Sequence, residues 1–414
     1  MSGRLDEVGE KTMPRSIAIA CQGGGTHTVF TAGVLQAILN ENLENDAFEI
    51  VALSGTSGGA INALLAWYGL LRDGVDTPDG AVDGKREAMR LLNNFWTTGW
   101  PDGNSANTYQ AAFHKFIETL QSPHPWEAGI PLADRARNDF VQWAGRWLSS
   151  PAVAVHPEIS PYFLTAFLSI PGLAWMPGYD ALKREFDVQE ALRSLLNAYV
   201  DFDEVEKVAT QDGFHPALLV GAADVLAGKL KLFTSQADPM FWRADGITAD
   251  SIVASAAIPT VMRGVRLGGS VFWDGLFGQN PPVHDLPGLY NDRYPTKSPD
   301  ELWIIRINPI RVADEPKNIL DIQDRRNEMA GNVSLGLELR SILKMNEFVD
   351  AGIISDPRFK HIDIHEIEMS EPIARSLDYL SKVDRKPGLL GKIMDDGERQ
   401  AAAFLQQWNL NRGR

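Results

Sequence analysis

The stretch Glu49-Ile50-Val51-Ala52-Leu53-Ser54-Gly55-Thr56-Ser57-Gly58-Gly59-Ala60-Ile61 decides how the rest of this chain is read. Glu49 to Leu53 predicts a short buried strand, and an apolar helix is predicted from Ala60 to Leu71. Between them Gly55-Thr56-Ser57-Gly58-Gly59 forms a G-x-S-x-G. A serine on such a sharp strand-to-helix turn is strained, and its neighbours two positions away must be small to let the chain pass. The helix N-terminus beneath the serine adds a positive dipole end, which favours an alkoxide or oxyanion. The five-residue pattern alone is common; its place between strand and helix makes it informative.

Upstream, Ile17-Ala18-Ile19-Ala20-Cys21 reads as another short buried strand, ended by Gln22-Gly23-Gly24-Gly25 and followed by a helix predicted from about Thr28 to Leu43. Strand, tight turn and helix, twice over, is the pattern of a parallel α/β sheet. Consecutive glycines let backbone N–H groups converge on an anion. A dinucleotide fingerprint would need a third spaced glycine where Thr28 stands, and no Gly-Lys-Ser/Thr follows for a nucleotide P-loop. With a serine elbow some thirty residues on, an oxyanion loop is the better reading of Gly23, Gly24 and Gly25.

Further strands are expected at Ala217–Val220, Lys231–Thr234, Val265–Leu267, Val271–Trp273 and Leu302–Ile307, with a helix from about Ala249 to Ala257. The last hundred residues read as helices around Val333–Phe348 and Arg399–Trp408, with one strand near His361–Glu368. Phe272-Trp273-Asp274-Gly275 places an acid at the end of an apolar strand. Alone this is a turn signal, but a serine nucleophile needs a base, either a histidine held by an acid or a carboxylate acting directly.

The chain has 414 residues and a formal net charge of −15, with 44% hydrophobic and 22% charged residues. This excludes wholesale disorder, gives no electrostatic footprint for nucleic acid, and argues against a broad basic membrane-binding face. The single cysteine, Cys21, rules out an internal disulfide and favours a reducing compartment. The uncharged stretch Ile159–Tyr179 is long enough to span a bilayer, but Pro161, Pro171 and Pro177 would break a spanning helix. Eight histidines leave little material for a zinc site, so neither metal nor cofactor is expected.

Gly23-Gly24-Gly25, the Ser57 elbow, Val253-Ala254-Ser255-Ala256-Ala257-Ile258-Pro259 and Asp274-Gly275, in that order, resemble the patatin-like phospholipases over roughly residues 16–72 and 215–310. The resemblance implies an α/β fold, a mostly parallel central sheet flanked by helices, with a helical cap insertion. It further implies Ser57 as nucleophile, Asp274 as its proton acceptor, and the Gly23–Gly25 backbone as oxyanion hole, with Gly55 and Gly59 as elbow glycines. His27 stands where the family commonly has arginine, Thr28 where it has glycine, and Leu276 where it has Gly or Ala. His27 lies inside the oxyanion loop and is a candidate to brace it.

The implied partner is a lipid or another ester, with transient contact at a membrane surface, and the expected location is cytoplasmic or peripheral to a membrane. Two alternatives stay open: an α/β-hydrolase triad using His284, His361 or His365, and a silent lipid-binding scaffold. The expected organisation is a flexible N-terminus over 1–15, a catalytic domain over 16–312 with a Trp-rich helical insertion at about 85–210, and a mainly helical extension over 313–414. The stretch Ile159–Ile170, with Trp126, Trp143, Trp147 and Trp175 around it, is expected to cap an acyl-chain pocket or meet a bilayer.

Overall fold

The computed structural model describes residues 14–77, 80–98, 188–209, 214–236, 246–259, 262–287, 297–312, 314–317, 319–356, 359–377, 380–382 and 387–412. The expected apolar cap around Ile159–Tyr179, with Trp126, Trp143, Trp147 and Trp175, lies outside the described residues, as does the N-terminus before residue 14.

The strand–turn–helix units form where the sequence predicts them. β1 (Arg15–Cys21) leads through the glycine loop to α1 (Val29–Asn45), and β2 (Phe48–Gly55) leads through the serine turn to α2 (Gly58–Leu71). A two-stranded ribbon, β3 (Asp76–Thr77) with β4 (Gly80–Ala81), precedes α3 (Gly84–Thr97). The described chain resumes with α4 (Val188–Tyr199) and α5 (Phe202–Ala209), then the hairpin β5 (Ala217–Asp224) and β6 (Lys229–Thr234). Gly228, at φ 61°, turns this hairpin. Then come α6 (Ala249–Ser255), the hairpin β7 (Val265–Leu267) and β8 (Ser270–Asp274), and β9 (Glu301–Arg306). The C-terminal part comprises α7 (Ile319–Asp350), β10 (Asp363–Glu368), α8 (Glu371–Ala374) and α9 (Pro387–Arg412).

The central sheet runs β10-β9-β1-β2-β5, with all four of these pairings parallel. Alternation along β1 divides its side chains between two cores, as the two-residue period of a strand requires. Ile17, Ile19 and Cys21 pack toward α1, α2 and α9, whereas Ala18 and Ala20 face Leu335, Leu339 and Ile342 of α7. The C-terminal residues therefore complete both layers: β10 is an edge strand of the sheet, and α9 crosses α1 closely. A side chain at Gly33 would strike the Met394 carbonyl, and one at Gly397 the Phe30 carbonyl, so each helix offers a glycine where the other's backbone passes.

β5 has more neighbours than a strand has edges, and this fixes the site. Leu219 and Val220 pair with Ser54 and Gly55 of β2 on one edge, and with Thr234 and Phe233 of β6 on the other. Ala222 pairs with Lys231 of β6 and with Asp274 of β8. β2 and β8 therefore share one edge of β5, end to end. Their C-termini, Gly55 and Asp274, meet across the single residue Gly221.

Candidate active site

Ser57 stands just past the end of β2 with φ 55° and ψ −128°, a conformation a non-glycine residue holds only when its surroundings enforce it. Those surroundings are glycines. A Cβ on Gly55 would lie 2.6 Å from the Gly59 carbonyl oxygen, and one on Gly59 would strike the Cys21 carbonyl. The turn is also pinned by a relay: the Ser57 amide donates to Ser255 Oγ at 2.9 Å, and that hydroxyl donates to the Gly221 carbonyl at 2.7 Å. Thr56 Oγ1 donates to the Gln279 carbonyl at 2.5 Å. Ser255 belongs to the Ala-Ser-Ala-Ala-Ile-Pro stretch, and its hydroxyl ties the elbow to the gap in the sheet.

Asp274 is fully buried. Its Oδ1 accepts from the Leu276 amide at 2.8 Å, while Oδ2 has no donor in hydrogen-bonding geometry among the described residues. Burial raises this carboxyl from 3.8 to about 7, against the smaller opposing pulls of the Leu276 amide and the Ser57 hydroxyl. Its ionised and neutral forms are thus nearly balanced at neutral pH, and the Ser57 hydroxyl is the side chain that favours the ionised one.

The glycine loop lies against the elbow. A Cβ on Gly23 would lie 2.9 Å from Ser57 Cβ and 2.5 Å from the Thr56 carbonyl oxygen, so a side chain there is excluded. Sequence reasoning expected the backbone of Gly23, Gly24 and Gly25 alike to face an oxyanion. The structure commits one amide elsewhere: the Gly23 N–H donates to Asn280 Oδ1 at 2.6 Å, and its carbonyl accepts from Asn308 Nδ2 at 3.0 Å. The amides of Gly24, Gly25 and Gly58 have no acceptor among the described residues.

Gln22 organises the loop from behind. Its Oε1 accepts from the amides of Ile307 and Asn308, each at 2.8 Å, and its Nε2 donates to Asn332 Oδ1 at 3.0 Å. Asn280, Asn308 and Asn332 escaped the sequence reading because isolated asparagines look like loop residues. The one available signal was Gln22 itself, an uncharged polar side chain placed directly at the end of a buried strand.

His27 is buried, and its Nε2 lies 2.7 Å from Ser381 Oγ. Burial, with help from the Lys382 charge, holds it well below its usual value, so it is neutral. It ties the glycine loop to the segment Leu380–Lys382 rather than to Ser57. None of the three histidines considered for a triad bonds to Ser57 or Asp274. His284 is exposed, and its amide donates to Glu338 Oε2. His361 lies against Asp350 and Asp363. His365 is on β10, three strand spacings or about 14 Å from β2.

A cleft of about 560 Å³ opens beside His365, lined by Arg15, Glu301, Phe404 and Trp408 among others. It lies at the far edge of the sheet, and its buried acid, Glu301, is already satisfied. Glu301 accepts from the Trp303 and Trp408 indoles at 2.8 Å and from Arg15 at 3.0 Å. It therefore contributes nothing to the chemistry at Ser57. No group of His, Cys, Asp and Glu among the described residues could hold a metal. Burial pushes the Cys21 thiol up, away from reactivity.

Residues 19–287 match the family description "Patatin-like phospholipase", which covers well over half of the chain and includes the glycine loop, the elbow and Asp274. The chain belongs to the patatin-like phospholipase family, a family of lipid acyl hydrolases. Among solved structures it is similar to VipD from Legionella pneumophila, at 14% identity and a TM-score of 0.38, over 95% of this chain and 67% of that one. No curated protein matches it.

Proposed function

We propose that this protein hydrolyses carboxylic esters of lipids through a two-residue dyad, Ser57 as nucleophile and Asp274 as base. The observation that carries the proposal is the end-to-end meeting of β2 and β8 on β5, which sets a strained serine beside a buried carboxyl raised to about 7. A carboxylate at its ordinary value is too weak a base for a serine hydroxyl at neutral pH. Burial makes this one stronger while leaving a large fraction ionised.

Ser57 Oγ attacks the ester carbonyl carbon as Asp274 takes its proton. The tetrahedral oxyanion is held by the amides of Gly24, Gly25 and Gly58 at the start of α2, while Asn280 and Asn308 fix the loop through Gly23. Collapse expels the alcohol with the proton returned from Asp274, and water attacks the acyl-enzyme by the reverse arrangement. The triad reading loses support because no candidate histidine bonds to Ser57 or Asp274, and the silent-scaffold reading because the chain retains Ser57, Asp274 and all three loop glycines. The test is incubation with a mixed lipid extract and product analysis by mass spectrometry. Release of free fatty acid by the wild type but not by Ser57→Ala supports the reading, and unchanged lipids would defeat it.

A further inference from the structure

The net charge of −15 argues against a basic membrane-binding face, but it averages over the whole surface. Helix α7 sorts its residues more finely. Its inner face buries Leu335, Leu339 and Ile342 against the sheet. Two of its acids are engaged there too: Asp324 pairs with Lys382, and Glu338 accepts from the Val283 and His284 amides.

The outer face is different. Ile322, Met329, Val333 and Leu337 are between 48% and 59% exposed and recur every four or seven residues, along one stripe of a helix. Arg326 falls on the same stripe between Ile322 and Met329, Arg340 and Lys344 continue it beyond Leu337, and the first acid on it is Glu347 at its far end, paired with Lys344. At 1.5 Å per residue the stripe is about 33 Å long. Arg326 and Arg340 make no ion pair among the described residues, whereas Lys344 pairs with Glu347.

We infer that the outer face of α7 is the surface by which this hydrolase seats on an anionic lipid bilayer. The inference rests on the lipid-hydrolase reading for its purpose, though not for its test. An exposed apolar stripe whose unpaired charges, Arg326 and Arg340, are both cations is complementary to a membrane with acidic headgroups. A second copy of the chain would instead bring Arg326 and Arg340 against their own kind. The inner face of the same helix supports the site: Asn332 holds Gln22, and Ser334 donates to the Gly278 carbonyl in the loop after Asp274. Trp273 and Phe277, on either side of Asp274 in sequence, are 37% and 43% exposed and extend the apolar surface beside that loop.

The experiment is flotation of the full chain with vesicles of phosphatidylcholine alone and of phosphatidylcholine with phosphatidylserine. It is run in wild type, in Ser57→Ala, in the apolar variant Val333→Asp/Leu337→Asp and in the charge variant Arg326→Gln/Arg340→Gln/Lys344→Gln. Wild type and Ser57→Ala should float equally with the acidic vesicles, and added salt should weaken both. The charge variant should lose about 5-fold in partitioning per cation removed, or roughly 100-fold in all, at about 1 kcal/mol each. The apolar variant should lose binding to acidic vesicles, and both variants should keep hydrolysis of a small soluble ester. If the apolar variant does not fold by thermal melt, the charge variant decides. Equal binding to neutral vesicles, no binding at all, or a dimer in light scattering that the apolar variant dissociates would each overturn the inference. Loss of ester hydrolysis only in Ser57→Ala, with vesicle binding intact, separates the catalytic question from this one.

Discussion

Replacing Asp274 by asparagine should abolish hydrolysis and also stabilise the fold, and the stabilisation should grow with pH. The carboxyl is raised from 3.8 to about 7 in the folded protein. A raised carboxyl means that the folded state binds the proton more tightly than the unfolded chain, so stability is lost as pH rises from 3.8 to about 7 and then levels off. At 1.36 kcal/mol per pH unit the full loss is roughly 4 kcal/mol, of which about 2–3 kcal/mol falls between pH 5 and pH 8. Asparagine keeps an Oδ1 for the Leu276 amide and carries no charge to bury. Urea denaturation of both proteins at the two pH values isolates this group, because every other titration cancels in the difference. The stability gap between variant and wild type should widen by about 2–3 kcal/mol from pH 5 to pH 8. A gap that stays constant would show that Asp274 has an ordinary pKa, and the argument that burial tunes it as a base would fail.

The pH dependence of kcat/KM should follow the same group, rising through a midpoint near 7 to a plateau; a midpoint near 4 would contradict the raised carboxyl. Ser57→Gly should be inactive yet more stable by about 1 kcal/mol, since glycine accepts the backbone angles that strain a serine, and a chemical melt measures it. Ser255→Ala removes the acceptor of the Ser57 amide and the donor to Gly221, so stability should fall by about 1–3 kcal/mol and kcat should fall with KM nearly unchanged. Gly24→Leu would force a side chain against Ile307 and displace an amide of the loop, lowering kcat about 10²-fold or more in steady-state assays.

The parts of this protein that were legible in its sequence are those whose cause is local. The β1 and β2 strands, the two glycine-rich turns and the helices after them are written in short windows, and the structure shifts their ends by only a few residues. The length of α7 was not legible. Both of its faces carry apolar residues, so the periodicity that marks one buried face was blurred, and only Val333–Phe348 stood out from a helix of 32 residues. Its exposed stripe was hidden for the same reason. The approach of Asp274 to Ser57 depends on two strands sharing an edge of β5 across Gly221, which no local pattern encodes. The support from Asn280, Asn308 and Asn332 comes from residues more than 200 positions away in the chain. Gly33 and Gly397 were legible in principle, since a glycine in mid-helix asks for a packing reason, and the crossing of α1 and α9 supplies one.

The central claim is that Ser57 is a nucleophile activated by Asp274, and covalent trapping tests it most directly. The protein is treated with a fluorophosphonate, and the adduct is located by peptide mass spectrometry as a function of time. The account predicts a single adduct on Ser57, absent in Ser57→Ala and slowed at least 10²-fold in Asp274→Asn, whose fold remains intact. An adduct on another serine, or labelling of Ser57 at full rate in Asp274→Asn, would contradict it.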